Sequence, residues 1–144
     1  MANLNRGVAG DGTRDIRSGD FVEILLETTS HSYYRITVSP DGVLADADRG
    51  EDGADEAWSS GAEAAVHHGE DFWSVEVRVP LAGDGARVLD PLSGVDGRMP
   101  SQTYPWYFNV GRQRVRGGAV ERTAYTPTGT NEFEVLDRFA ELYR

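Results

Sequence analysis

The sequence predicts an all-β domain, either an antiparallel β-sandwich, as in immunoglobulin and jelly-roll folds, or an open barrel. Three segments of the second half, residues 73–80, 106–112 and 121–127, alternate large apolar residues with polar ones. Alternation places successive side chains on opposite faces of a strand. Turn residues separate the apolar segments, and the chain shows no amphipathic helices of the kind that connect parallel strands. One face of each strand is therefore predicted to join a core, and the other to meet solvent or a ligand.

The N-terminal part is expected to lie outside this domain. Residues 1–19 contain Gly, Asp and Arg without periodicity, which predicts a loop-like stub. We therefore place a single β-sandwich domain at residues 20–144. A domain near this size buries roughly 68–70 % of its unfolded surface, so a core can form without disulfides. The chain contains no cysteine, which also excludes thiol nucleophiles and zinc–thiolate sites.

Short strands are predicted along the whole domain. Residues 39–42 (Ser-Pro-Asp-Gly) are typical of a tight turn. Residues 58–68 fit either a strand or a helix, and residues 81–102 are expected to form a long irregular connection. A hairpin is predicted across Gly117 and Gly118. The strands are predicted at residues 21–27, 33–39, 43–46, 72–79, 104–112, 119–125 and 139–143.

Three arginines follow the strand that begins near Trp106. Arg112, Arg114 and Arg116 share the parity of its apolar residues, so an uninterrupted strand would direct them toward the core. We therefore expect Gly111 to mark a bulge or the end of the strand. The arginines would then form a local basic patch on the protein surface.

Acidic residues outnumber basic ones, with 24 Asp and Glu against 14 Lys and Arg, and the formal net charge is −10. Repulsion from phosphates disfavours nucleic acid and anionic membrane surfaces as partners. No apolar run reaches the roughly 20 residues of a membrane helix, so membrane insertion is not expected. The first residues lack the apolar stretch of a signal peptide, so either the protein is cytoplasmic or a signal and more chain have been left off.

Aromatic residues are numerous and suggest a carbohydrate ligand. Sugar rings pack their C–H faces on aromatic planes, and their hydroxyls need amide, carboxylate or guanidinium partners. Trp73 and Trp106 lie on the Val-bearing faces of their strands and are predicted to be core residues. We expect Tyr33, Trp58 and Tyr107 to form an exposed platform.

The predicted polar contacts of this platform are Glu76, Asn109 and Arg112, which all lie within strands. A charged residue inside a strand is uncommon unless it is paired or solvated. A cross-strand ion pair between Glu76 and Arg112 is the structural interpretation, and contact with a ligand is compatible with it. A purely structural or assembly domain, in which such residues only form ion pairs, remains an alternative.

An acidic loop follows the third strand and could hold a cation. Its carboxylates do not match the EF-hand pattern, because Glu51 stands where a loop starting at Asp46 requires Gly. A solvated loop and an irregular structural calcium site with Asp46, Asp48 and Asp52 as ligands both fit. His67 and His68 give only weak support to a transition-metal site.

An enzyme is the second functional hypothesis. Strand carboxylates such as Glu23 and Glu76 could serve as the acid and base of a polysaccharide hydrolase or lyase, supported by Arg112 or Tyr107. No catalytic residue can be assigned, because nothing in the sequence sets the distance between the two carboxylates. The chain contains neither a Gly-rich phosphate loop nor a Gly-x-Ser-x-Gly motif.

The order of five segments resembles the family 9 carbohydrate-binding module-like domains, within the DOMON-like β-sandwich superfamily. The segments are residues 19–26, 34–43, 73–80, 106–112 and 121–127, and residues 133–142 fit as well. The resemblance implies a non-catalytic glycan-binding β-sandwich, often calcium-bearing, in a secreted or cell-surface bacterial protein. Glu76, Asn109 and Arg112 match polar positions that recur in the family. Some relatives bind haem through Met and His, but Met99 lies in a predicted loop and no His matches, so haem is not expected.

One departure from the family concerns the N-terminus. Family domains have further strands before the segment that corresponds to residues 20–23, whereas this chain has the predicted stub. The chain therefore resembles a domain without its first strands. A sheet with an open edge tends to pair, so we expect a homodimer or completion by further domains of a larger parent protein.

Overall fold

The computed structural model describes residues 5–6, 16–28, 33–50, 58–81 and 94–144, of which residues 5–6 are described only as backbone. The described part is all-β, its strands pair antiparallel, and the predicted fold class is confirmed. The strands are β1 (Asn5–Arg6), β2 (Phe21–Glu27), β3 (Tyr34–Val38), β4 (Leu44–Asp48), β5 (Glu63–His68), β6 (Trp73–Arg78), β7 (Trp106–Arg116), β8 (Ala119–Ala124) and β9 (Ala140–Leu142). A single 3₁₀ turn at Leu136–Arg138 precedes β9 in this part of the chain.

The strands form two sheets. The smaller sheet has the order β1-β5-β6, and the larger has the order β4-β3-β2-β7-β8. Strand β9 also pairs with β7, along its first three residues, whereas β8 pairs with residues 111–116 at its other end. The long strand β7 thus carries β9 and β8 one after the other along one side and β2 along the other.

The two sheets pack face to face, as in a β-sandwich. Alternation in β3 and β4 directs Ile36, Val38 and Leu44 toward the smaller sheet, where they meet Ala62 and Ala64 in one buried cluster. Apolar residues on the inner face of β5 and β6 pack against the same cluster; they are Val66, Val75 and Val77. This apolar contact joins the smaller sheet to the larger one.

The outer face of the larger sheet is covered by the C-terminal segment. Phe21 and Leu25 on β2 form a second buried cluster with Tyr33, Phe133 and Phe139. The rings of Phe21 and Phe133 meet edge to face, with centroids 6.2 Å apart. The larger sheet is therefore buried on both faces around β2, which makes β2 the centre of the domain.

Strand β7 runs without interruption through Gly111, so the predicted bulge or strand end at this glycine is wrong. Gly111 pairs with Glu23 in a continuous register. A Cβ atom built on Gly111 would lie 2.4 Å from the ring of Phe133, so the glycine makes room for the C-terminal segment. Arg112 shares a face with Val110 but stays solvent-exposed, and it forms an ion pair with Glu121. It is exposed because the apolar contact between the sheets involves β2, β3 and β4 rather than this end of β7.

Most predicted strands are confirmed within one to three residues, and the turn at residues 39–42 closes with the amide of Gly42 donating to the carbonyl of Ser39. The ambiguous residues 58–68 form strand β5 from Glu63 onward. Strand β1 lies within the stretch predicted to be a loop. Two residues carry no alternation, so pairing with β5 rather than local pattern defines this strand.

Candidate functional site

Two of the three predicted platform residues lie in the core. Trp58 is fully buried and stacks on Tyr34, with ring centroids 4.9 Å apart. Tyr33 is buried against Phe139. The prediction that these two rings are exposed is wrong. Trp58 packs on Tyr34 and Tyr33 packs against Phe139, and sequence alternation predicts neither contact. Of the two tryptophans predicted to be core residues, Trp106 is buried and Trp73 is half-buried.

Trp58 instead anchors a loop. Its indole Nε1 donates a hydrogen bond of 3.0 Å to the carbonyl of Gly94. Two further bonds fix the same segment: the Asp96 amide donates to the hydroxyl of Tyr34, and the hydroxyl of Thr28 donates to the carbonyl of Asp96. The start of the loop that leads to Arg98 is therefore attached to buried side chains.

Replacing Trp58 by Phe tests this anchoring role. We expect the free energy of unfolding to fall by about 1–2 kcal/mol, because the Gly94 carbonyl loses its partner while the stack on Tyr34 persists. Chemical denaturation of the purified variant measures this. An unchanged stability would contradict the anchoring role.

Asn109, a predicted ligand contact, is also buried and serves the backbone. Its amide nitrogen donates to the carbonyl of Thr126 at 3.1 Å, and its Oδ1 accepts from the Thr126 amide at 3.0 Å. The same oxygen accepts from the amide of Val110. Asn109 therefore joins β7 to the chain that follows β8, and its side-chain groups are occupied by these bonds.

Glu76 and Arg112 lie in different sheets, so the predicted ion pair between them is wrong. Glu76 is exposed on the outer face of the smaller sheet, opposite Ala65 of β5. Arg112 is on β7 of the larger sheet and lies 3.4 Å from Glu121 of β8. The two residues do not contribute to one site with Tyr107, since each belongs to a different surface.

The two carboxylates proposed as an acid and base are also far apart. Alternation directs Glu23 to the outer face of the larger sheet and Glu76 to the outer face of the smaller one. Stacked sheets are separated by roughly 10 Å, so the carboxylates are farther apart than the roughly 5–9.5 Å of glycosidase pairs. Glu23 and Glu76 therefore cannot act on one glycosidic bond.

Glu23 belongs to a buried ionic network. Its side chain is fully buried, accepts a hydrogen bond from Thr37 at 3.0 Å and lies 3.3 Å from Arg17. Arg17 also bonds to Glu134, at 3.1 Å. Burial raises the pKa of Glu23. Burial also opposes ionisation of Glu134, but a backbone hydrogen bond and Arg17 lower its pKa overall.

The carboxylates proposed as calcium ligands are partly engaged in structure. Asp46 Oδ2 accepts hydrogen bonds from the amide and the hydroxyl of Ser60, at 2.7 and 2.6 Å. Asp48 is buried at the end of β4, and Asp52 lies outside the described residues. Within the described part of the chain, no three His, Cys, Asp or Glu residues are grouped in a way that could hold a metal ion. His68 instead contacts the carbonyl of Pro40.

The remaining predicted residue, Tyr107, lines a cleft at one end of the larger sheet. The cleft lies where β2 ends and β7 begins, and its volume is about 430 Å³. Ligand pockets in proteins span roughly 300–1,000 Å³. The lining residues are Glu27, Thr28, Arg98, Thr103, Tyr104, Pro105, Trp106 and Tyr107.

Exposed aromatic rings and two charged groups define the chemistry of this cleft. Tyr104 is 58 % exposed and Tyr107 is 37 % exposed. The guanidinium of Arg98 lies over the ring of Tyr104, 4.9 Å from its centroid. Glu27 pairs with Tyr107 across β2 and β7, and burial raises the pKa of Glu27. The cleft thus offers an aromatic surface, a cation, a carboxyl group and hydroxyls.

A turn and a close glycine contact fix the loop that carries Arg98 and Tyr104. The amides and carbonyls of Ser101 and Tyr104 exchange hydrogen bonds of 3.1 and 3.0 Å, which close a tight turn before Tyr104. Gly97 has a φ of +136°, and a Cβ there would lie 2.9 Å from the Cβ of Thr28. A side chain at Gly97 would therefore strain the backbone and push the loop away from β2.

Sequence reasoning missed Arg98, Tyr104 and Glu27 as site residues. The dense run of aromatic residues at 104–107 was the available signal, since three of its four residues are Tyr or Trp. Arg98 and Glu27 carry no such signal, because only the fold brings them to the same cleft.

Comparisons of the chain with protein-family models, with curated proteins and with solved structures found no match. The resemblance to carbohydrate-binding modules therefore stays a hypothesis. None of the described residues form a helix long and apolar enough to cross a membrane.

Proposed function

We propose that the protein is a non-catalytic carbohydrate-binding domain of a secreted or cell-surface bacterial protein, and that the cleft beside Tyr104 and Tyr107 is its glycan site. The observation that carries the proposal is the pair of exposed tyrosines in a cleft of about 430 Å³ with Arg98 and Glu27. The site differs from the platform expected from the sequence, with which it shares only Tyr107.

The chemistry of a sugar matches that of the cleft. The C–H face of a pyranose packs on an aromatic ring, and the exposed part of the Tyr104 ring that Arg98 does not cover offers such a surface. Hydroxyl groups of the sugar would accept hydrogen bonds from Arg98 and donate them to Glu27. A ligand bound in this way contacts both an apolar surface and polar groups that set its orientation.

Replacing Tyr104 by Ala tests the proposal, after a glycan array with the unaltered protein has identified a ligand. We expect the affinity for that ligand to fall at least about tenfold, equivalent to ~1.4 kcal/mol, because the aromatic contact surface is removed. Isothermal titration calorimetry measures the change. Tyr125→Ala is the matched control, since Tyr125 is 68 % exposed but stacks on Phe108, on the face of β7 opposite to Tyr107.

The outcomes separate three functions. Loss of binding in Tyr104→Ala with binding kept in Tyr125→Ala supports the cleft, and the reverse result would place the ligand on the other face. Release of shortened products from the bound glycan would favour an enzyme. A folded protein that binds no glycan on the array would contradict the proposal and favour a structural domain.

A further inference from the structure

We infer that the glycan recognised by this cleft carries a carboxylate, as in uronic-acid sugars, and that Arg98 binds this group. The inference rests on the proposed function, because it concerns the ligand of the same cleft. It adds the charge of the ligand, which the presence of aromatic rings alone does not specify.

The first step concerns the partners of the arginines. Carboxylates lie within 4 Å of several arginines in the described part of the chain, namely Arg17, Arg78, Arg112 and Arg116. Arg98 has no ion pair or hydrogen bond among the described residues, and its described contact is the ring of Tyr104. Arg138 also lacks an acidic partner among the described residues, but it is exposed in the 3₁₀ turn, whereas Arg98 lines the cleft beside Tyr104.

The second step concerns the position of this cation. Arg98 lines an open cleft rather than a convex surface, together with Trp106 and Pro105. A guanidinium presents five N–H donors and matches the two oxygens of a carboxylate. The ring of Tyr104 is not a hydrogen-bond acceptor of this kind, and the Arg98 donors have no acceptor in the described part of the chain. A carboxylate of a ligand would supply one.

The third step concerns Glu27, the acidic group of the same cleft. No ion pair joins it to Arg98 within the described residues, so the two groups are separate and serve different parts of a ligand. Burial raises the pKa of Glu27 above its usual value. Glu27 is then suited to a hydroxyl group of the sugar, while Arg98 is suited to its carboxylate.

The test uses matched ligands that differ only in charge. Oligosaccharides of galacturonic, glucuronic and mannuronic acid are each compared with their methyl esters, which keep the ring and lose the negative charge. Binding to the unaltered protein, to Arg98→Gln, to Glu27→Gln and to Arg138→Gln is measured by calorimetry at pH 7. Arg138 is exposed in the 3₁₀ turn and serves as the control for lost positive charge.

We expect at least one acid form to bind about tenfold or more tightly than its ester. Arg98→Gln should abolish this preference, because it weakens binding of the acid form more than binding of the ester. Glu27→Gln should retain the preference, because it removes only a negative charge, and Arg138→Gln should behave as the unaltered protein. These results together would support the assignment of Arg98.

Other results would overturn the inference, and they distinguish it from the proposed function. Esters or neutral glycans that bind as well as every acid form would refute the carboxylate and leave glycan binding intact. An Arg98→Gln variant that weakens acid and ester equally would show that Arg98 only positions Tyr104. If no glycan of any charge bound the folded protein, both the inference and the proposed function would fail.

Discussion

Replacing Gly111 by Val is expected to lower the free energy of unfolding by about 3 kcal/mol. The position lies in the middle of β7, and a Cβ there would come within 2.4 Å of the Phe133 ring. Overpacking a well-packed site costs typically 1–3 kcal/mol, and valine adds three carbons where one already clashes. The ring cannot move freely, because it contacts Phe21 edge to face and Arg122 lies over it. Urea denaturation followed by tryptophan fluorescence measures the loss.

Gly19→Ala is the matched control for the smaller substitution Gly111→Ala, which places the same Cβ against the Phe133 ring. A Cβ at Gly19 meets no heavy atom within 4 Å, so its stability should change by less than about 0.5 kcal/mol. In the double variant Gly111→Ala with Phe133→Leu, the smaller leucine side chain replaces the opposing ring. Part of the free energy of unfolding lost in Gly111→Ala should then be recovered, which a double-mutant cycle detects. Equal stabilities of the Gly111 and Gly19 variants would mean that the C-terminal segment does not pack on β7.

Replacing Arg17 by Met is expected to cost about 2–3 kcal/mol at pH 7. The substitution leaves the fully buried Glu23 without its cationic partner. Breaking a buried ion pair costs roughly 3–5 kcal/mol, and the lower value is expected here because the Arg17 side chain is 37 % exposed. Thermal denaturation as a function of pH measures the effect. Arg138→Met is the control, since Arg138 is exposed and has no ion pair among the described residues.

The pH dependence of this loss follows from the direction of the pKa shift. Because the folded-state pKa of Glu23 is raised above 4.5, its contribution to stability is complete below pH 4.5 and declines as pH rises through the folded-state pKa. Without Arg17 this decline should be steeper, so the deficit of Arg17→Met should shrink toward pH 4. Glu23→Gln should remove this part of the pH dependence. A deficit that is the same at pH 4 and pH 7 would contradict a role for the Glu23 charge.

Glu134 contributes in the opposite direction. Its pKa is lowered, so its contribution is present above pH 4.5 and is lost as pH falls through the folded-state pKa. The two carboxylates share Arg17 and bring together β2 and the C-terminal segment. The two titrations lie on opposite sides of pH 4.5, so a variant that lacks one carboxylate should lose the pH dependence of stability on that side only.

The fold was predictable because alternation is a local property. Strands such as β2, β3 and β6 show it within five to seven residues, and the turn at residues 39–42 has its characteristic composition. Alternation assigns each residue to a face of its strand, but it does not predict which part of that face another segment covers. Val110 and Arg112 share one face of β7, yet the arginine is exposed because the second sheet does not pack over that end of the strand.

The site was less predictable because its residues meet only in three dimensions. Trp58 and Tyr33 have the composition of a sugar platform, but the segments that cover them are distant in sequence. Arg98 and Glu27 are separated by some seventy residues and lie in one cleft because β2 and β7 are neighbours. No pattern in a single segment contains that information.

The outer edge of β8 has a consequence for self-association. Exposed edge strands can pair with a second copy of the chain. In a symmetric antiparallel pair, residues opposite each other must lie on the same face of the sheet, so the central residue lies opposite its own copy. The two centred registers with most overlap place Glu121 opposite its own copy, or Arg122 opposite its own copy. Like charges directly opposite destabilise a strand pair. Residues 121 and 122 therefore disfavour a homodimer in which β8 pairs with its own copy.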